Sequence, residues 1–367
     1  MQRKLVGLMI CTLLIFSFSL TAEAQSNPVE AGKKNVSLSL SGQVNRALLY
    51  IHDGEQSDFF NVDSDASSTR FRIVGEYQSH PEFSIGAIIE AQFESNSSVS
   101  VSQDNKTNVG PNNFTERRLE LYFDSKTYGR LWLGQGNTAS DGTSEVDLSG
   151  TGIIGYSSVC DWAGGIQFRT SDTAATLTGI TLCDVFDNLD GLSRDDRIRY
   201  DTPTFAGLKL STSWITDDRW DIALRYAGNF GAIKAAAAIA YSERQDPFDY
   251  QMNGSASIWH ESGVSFTLAT GIRKVDASND PKYGYFKLAY ARQFWKLGES
   301  AIGFDLYLGD DVGAAGNDSV SYGGFVVQNL DAYATEFYAG IRQHELDQDG
   351  PDLDGVFTFF TGARVKF

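Results

Sequence analysis

From Val36 to Phe367 the chain reads in twos. In Val36-Ser37-Leu38-Ser39-Leu40-Ser41-Gly42-Gln43-Val44-Asn45 one face is Val36, Leu38, Leu40 and Val44. The other is Ser37, Ser39, Ser41, Gln43 and Asn45. Successive side chains of a strand point to opposite sides, so this pattern is a half-apolar strand. Arg46 falls out of phase, which predicts a bulge or a strand end there. The alternation returns over residues 69–76, 84–93, 118–124, 130–133, 197–200, 208–214, 221–226, 264–273, 302–308 and 357–367.

The N-terminus opens Met1-Gln2-Arg3-Lys4, continues through an apolar run over 5–20, and reaches Ala22-Glu23-Ala24. A positive start, an apolar middle and a small-x-small site form a secretory signal peptide, with cleavage expected after Ala24. Residues 1–24 are thus read as the signal and 25–367 as one domain. Beyond Leu20 the longest apolar run is 235–241. That is far short of the ~20 residues a membrane helix needs. The exported chain is either soluble or crosses a membrane as a closed barrel, since only helices and barrels satisfy every backbone group in lipid.

A soluble sandwich would also alternate, with its apolar face as core. Two features favour the inverted arrangement, apolar side to lipid and polar side to water. The segments repeat at similar length with few breaks, and short connectors such as 80–82, 126–129, 230–232 and 261–263 alternate with longer polar ones at 53–66, 95–113, 310–318 and 347–355. Short turns at one end and long loops at the other mark outer-membrane barrels, and counting by connectors gives about sixteen strands. Aromatics such as Tyr50, Tyr77, Tyr128, Trp220, Trp259 and Trp295 sit near segment ends, where interfacial girdles form. The expected fold is all-β, a transmembrane antiparallel β-barrel.

One stretch breaks the rhythm. Residues 136–194 are polar, glycine-rich and acidic, and hold Cys160 and Cys183. Connections this long inside a compact fold are usually functional or disordered. We expect this third outer loop, about 137–194, to fold back into the barrel mouth and narrow the lumen. Its two cysteines would face an oxidising compartment, where they either pair or remain free thiols. Pairing is the expectation, contributing roughly 3 kcal/mol by loop closure and stiffening the loop.

At this point the residues resemble a known family. Ser39-Leu40-Ser41-Gly42-Gln43-Val44-Asn45-Arg46 resembles the first strand of Gram-negative trimeric porins. Arg118-Leu119-Glu120-Leu121-Tyr122-Phe123 and 128–136 resemble the strands leading to their pore loop, and 196–203 with 207–210 those just after it. The end, Gly362-Ala363-Arg364-Val365-Lys366-Phe367, is similar to the terminal aromatic strand read during assembly, with Phe367 as the signal. The resemblance implies an outer-membrane general-diffusion porin of a Gram-negative bacterium. It also implies a homotrimer in lipid and lipopolysaccharide, passing small polar solutes and ions. Residues 162–192 make the loop longer than the family's common pattern, with a short hairpin expected near 165–169.

The polar faces offer Arg70, Arg72, Arg118, Arg197 and Arg199 as a basic wall. Asp141, Glu145 and Asp147, early in the loop, are the expected opposing acids. Opposed charges across a narrow lumen set ion preference. The same arginines also have local partners in reach, for example Arg118 with Glu90 on the neighbouring strand. The formal charge of −17 argues against a nucleic-acid partner. His52, His80, His260 and His344 are scattered without metal-ligand spacing, so no metal, cofactor or catalytic set is expected. The alternatives are a substrate-selective channel with a solute-binding site, a barrel enzyme, or a plugged structural barrel. The loop over 95–113 is a candidate latch to a neighbouring copy.

Overall fold

The computed structural model describes residues 35–107, 114–243, 248–276 and 279–367. The expected signal peptide over 1–24 lies outside the described residues. In chain order the strands begin β1 (Val36–His52), β2 (Ser57–Asp63), β3 (Arg70–His80), β4 (Phe83–Phe93), β5 (Phe114–Ser125) and β6 (Gly129–Asn137). The long loop contributes β7 (Gln167–Thr170), β8 (Leu177–Thr181) and a single helical turn, α1 (Leu182–Val185). Then come β9 (Arg194–Asp201), β10 (Leu208–Ile215), β11 (Trp220–Phe230), β12 (Ile233–Glu243), β13 (Phe248–His260) and β14 (Val264–Val275). The chain ends with β15 (Lys282–Trp295), β16 (Gly298–Asp310), β17 (Asp318–Leu330), β18 (Thr335–Asp347), β19 (Leu353–Asp354) and β20 (Val356–Lys366).

Leaving aside β2, β7, β8 and β19, sixteen strands pair antiparallel in order around a closed barrel. Closure falls on β1. One edge pairs β20, from Gln43↔Lys366 to His52↔Phe357. The other pairs β3 from Val36↔Tyr77 to Gln43↔Arg70, and then β2 from Arg46↔Asp63 to His52↔Ser57. The stretch 53–66, expected as a plain outer loop, therefore carries a strand that continues the wall. Between β2 and β3 the wall is notched at 64–69, where the amide of Gln43 donates to the carbonyls of Ser67 and Ser68 at 3.0 and 2.8 Å. The terminal residue completes the seam: Gly42 N donates to Phe367 O at 2.8 Å and Phe367 N to Gly42 O at 3.0 Å.

The polarity is inverted, as the alternation predicts. On adjacent strands Leu288 and Phe304 are 56% and 62% exposed on the outside, while Lys287 and Asp305, one residue away, are 2% and 6% exposed inside. A soluble sandwich would bury the first pair. No bulge interrupts β1 at Arg46; the strand runs on to His52 in register. Arg46 instead stands on the outer face and pairs with Asp63 at 2.5 Å. Beyond it the inner face turns apolar, as Ala47, Leu49 and Ile51, because there the wall meets a packed loop rather than water.

Candidate functional site

That loop leaves β6 after Asn137, re-enters the wall at Arg194, and lies inside the barrel. Two wall arginines grip its root. Arg197 donates to the carbonyls of Asn137 and Gly134 at 2.9 and 2.7 Å and pairs with buried Glu120. Arg199 donates to the Thr138 carbonyl at 2.8 Å. Backbone enclosed in a barrel needs partners as much as any other, and the inner wall supplies them. Ser140 N donates to Asp221 at 2.8 Å. Val146 N and Leu148 N donate to the hydroxyls of Ser255 and Ser257 at 2.9 and 3.0 Å. Lys287, buried in β15, pairs with Asp147 at 2.9 Å and donates to the Gly155 carbonyl at 2.6 Å. The returning limb is held by Tyr307, which donates to the Asp187 carbonyl at 2.7 Å, and by Gln251, which donates to that of Leu189 at 2.6 Å.

The middle of the loop builds an apolar core inside the barrel. Trp162, Ile166, Phe168, Leu182, Val185 and Phe186 pack against Leu49, Ile51, Phe325, Tyr338 and Phe360 of the wall. The hairpin expected near 165–169 is β7 with β8, and β19 from the last outer loop adds a third strand to it. The loop 95–113, the candidate latch to a neighbouring copy, crosses this chain's own long loop over its described part, 95–107: Ser98 Oγ donates to the Asp161 carbonyl, and Gln103 Nε2 to that of Gln167 at 2.8 Å. Residues 108–113 lie outside the described residues.

With that side filled, an aqueous cavity of about 650 Å³ remains beside β3, β5 and β9. Four guanidiniums line it, from Arg70, Arg117, Arg194 and Arg273. Facing them are the carboxyls of Asp65, Asp141, Glu145, Asp161, Asp187 and Asp190. Arg117 is tied to Glu90 at 2.8 Å, Arg273 to Asp187 at 2.9 Å, and Arg194 only loosely to Asp141 at 3.9 Å. Arg70 has no ion pair among the described residues.

The carboxyls of the loop are not equally charged. Glu145 touches lumen water, yet protein surrounds it; that enclosure first, and then the charge of Asp141, pushes its carboxyl up to about 7. Asp161 and Asp190 are held well above the usual carboxylate range, again by burial first and by neighbouring acids second. Crowding like charges out of bulk water disfavours the ionised form. Near neutrality several of the acids that face the four guanidiniums therefore carry less than their full charge.

The residues expected at the site divide by place. Arg70, Asp141 and Glu145 line the cavity. Arg72 pairs with Glu90 at its edge. Arg118 pairs with Glu120 rather than Glu90, its guanidinium 5.5 Å from the Trp132 ring centre. Arg197 and Arg199 hold the loop root, and Asp147 is the anchor to Lys287. Strict alternation misses Arg117. It shares phase with outward Leu119, but a bulge opposite Glu90 and Ala91 turns it inward. Asp161, Asp187 and Asp190 carry no periodic signal, because irregular backbone places them, and Arg194 stands at the very start of β9, where the loop rejoins the wall.

The Asp147 anchor can be tested directly. Breaking a buried pair leaves an uncompensated charge and costs about 3–5 kcal/mol. Lys287→Met is thus expected to undock the first limb of the loop. Protease cleavage within 138–160, with the barrel strands still protected, would register it; a loop as resistant as the native one would refute the anchor.

A family model described as Gram-negative porin matches residues 11–349. No curated protein matches by sequence at a significant level. Among solved structures, the fold is similar to the anion-selective porin from Comamonas acidovorans, with 15% identity, 90% of this chain and 100% of that chain covered, and a TM-score of 0.57. It is similar to the trimer form of OmpT from Vibrio cholerae, with 11% identity, coverage of 91% and 100%, and a TM-score of 0.58. It is also similar to Salmonella typhi OmpF in complex with daunomycin, with 12% identity, coverage of 91% and 98%, and a TM-score of 0.55. At such identities the structures speak for the fold alone.

Proposed function

We infer the solute preference of this passage from one premise: the chain belongs to the Gram-negative porin family. As a porin it forms an outer-membrane channel for passive diffusion of small hydrophilic solutes and ions. Family and fold point to a channel rather than an enzyme. We read the assembly as a homotrimer, as in the trimer form of OmpT. The exposed Leu and Phe belt of the wall would meet outer-membrane lipid and lipopolysaccharide.

On this premise the constriction favours small anions at and below neutral pH, although the chain as a whole is acidic. One observation carries the reading: four arginines share a narrow cavity with six carboxyls, three of which, Glu145, Asp161 and Asp190, are held above the usual carboxylate range by burial. Charges near the narrow point set the local field, and distant surface acids are screened. Apolar solutes would have to disrupt water ordered between the opposed charges, so they are disfavoured. Planar-bilayer recording in a salt gradient at about pH 6, below the Glu145 midpoint, should give large ohmic steps with a reversal potential on the chloride side. Negligible current would remove the channel reading; a reversal potential on the potassium side would remove the anion preference. Block at low solute concentration would favour a defined binding site instead.

A further inference from the structure

We propose that the Cys160–Cys183 bridge is a thiol-exchange site, through which a small anionic thiol attaches to the pore loop and narrows the mouth. The proposal rests on the channel reading and adds a covalent ligand to it. The structure joins the two cysteines, with their Cα atoms 5.1 Å apart. The bridge links the turn Val159–Trp162 to α1. Both segments lead straight into residues of the passage, Asp161 on one side and Asp187 on the other.

The bridge also faces water. Cys160 and Cys183 line a second open cavity of about 480 Å³, which shares Arg117 and Arg194 with the constriction. Its acidic members are Asp65, Asp161 and Asp187. Cys160 is only 6% exposed, whereas Cys183 is half-buried, so Cys183 is the sulfur that an incoming thiolate reaches. Burial first, and neighbouring acids second, hold Asp65 and Asp161 well above the usual carboxylate range, so the two guanidiniums give that thiolate, and any further anionic group it bears, a favourable approach.

In the exchange, the thiolate forms a bond to Cys183 Sγ as the Cys160–Cys183 bond breaks. Cys160 departs with the electron pair and takes a proton from water. No external oxidant or reductant is needed, because one disulfide replaces another. The adduct stands in the mouth next to Arg117 and Arg194. The loop has ties that do not run through the bridge and would keep it in place: in the bridged structure Cys183 N donates to the Gly164 carbonyl at 3.0 Å and Leu182 N to that of Ile166 at 2.9 Å. Cys160, retained beside the mixed disulfide, can attack it once free thiol is removed and restore the bridge.

The test uses purified full-length channel, with the bridge first checked by intact mass, in planar bilayers at about pH 7, where a few per cent of an ordinary thiol is ionised. Mercaptoethanesulfonate, mercaptoethanol and cysteamine are added at equal thiolate concentration. The expected result is a fall in conductance that holds while thiol is present and reverses on washout, with a mass gain of one thiol. It should form roughly fivefold faster with the sulfonate than with the neutral thiol, and slowest with the cation, as one favourable unit charge at contact range implies. A Cys160→Ser, Cys183→Ser channel should ignore all three. Two free thiols before treatment, no adduct on the bridged wild type, or an adduct that leaves conductance unchanged would each overturn the proposal. Absence of any conducting step before thiol is added would instead bring down the underlying channel reading.

Discussion

Reversal potentials recorded from about pH 5 to pH 9, a span that brackets a carboxyl titrating near neutrality, are expected to swing from the chloride side toward the potassium side. The midpoint of the swing should lie near 7, where Glu145 titrates. The sign follows from the groups present. Below the midpoint Glu145 is neutral, and Asp161 and Asp190 are raised as well, so Arg70, Arg117, Arg194 and Arg273 dominate the field. Above it each carboxyl that ionises cancels a guanidinium. One unit charge at about 4 Å from a passing ion is worth about 1 kcal/mol in bulk water, roughly fivefold in occupancy. The anion-to-cation permeability ratio compounds the anion's loss with the cation's gain, and should therefore fall by about the square of that factor per carboxylate. The recordings belong at about 0.1 M salt or below, since a Debye length of about 10 Å already blurs the effect. Glu145→Gln should remove the step near neutrality and leave the anion preference in place. Arg70→Gln with Arg117→Gln should displace the whole curve toward cations while keeping its shape. A flat profile in the wild type would mean that the loop acids are ionised throughout, and the charge reading would fail.

The choice of Arg117 in that double variant shows where the sequence stops being legible. The wall could be read because lipid outside and water inside impose a period of two, and residues such as Leu288 and Lys287 obey it. The same rule places Arg70 correctly and Arg117 incorrectly, because the bulge facing Glu90 is a register event with no residue signature of its own. Arg46 failed for a related reason. Its break in pattern looked like a strand fault, whereas the residue keeps its phase on the outer face and is paired there with Asp63 of β2. Inside the loop, Asp147 and Asp141 are chemically alike and six residues apart. One meets Lys287 and becomes an anchor, while the other meets the lumen. Only the path of the backbone separates those roles, and glycine-rich irregular chain does not announce its path.

Trp162→Ala is expected to give the largest single change in conductance, because Trp162 is the piece of the loop most firmly seated in the wall. The residue is 1% exposed. Its ring stacks on Phe360 of β20 with centroids 5.7 Å apart, and the Arg342 guanidinium of β18 lies 4.9 Å from its centre. Its indole nitrogen donates to the Ile154 carbonyl at 2.7 Å, which fixes the preceding turn of the loop. Truncating a buried tryptophan costs about 3–5 kcal/mol, comparable to the cost of breaking one buried ion pair such as Asp147–Lys287. The middle of the loop should then leave the wall, raising single-channel conductance and exposing 150–193 to protease. The barrel should survive, since the β1–β20 and β18–β20 ladders do not pass through this side chain. A variant outside the loop separates seating from chain stiffness. A Cβ at Gly340 would stand 2.6 Å from the Trp162 ring and 2.8 Å from Phe325 Cβ of β17, so Gly340→Val should eject the tryptophan, with some adjustment of the adjacent wall strand, and leave the loop sequence untouched. Trp162→Phe keeps the stack and loses one hydrogen bond, worth about 1 kcal/mol, and should conduct nearly as the wild type does. If Trp162→Ala and Gly340→Val both leave conductance and cleavage unchanged, the loop is held by its two limbs alone, and the apolar core inside the barrel does not set the width of the passage.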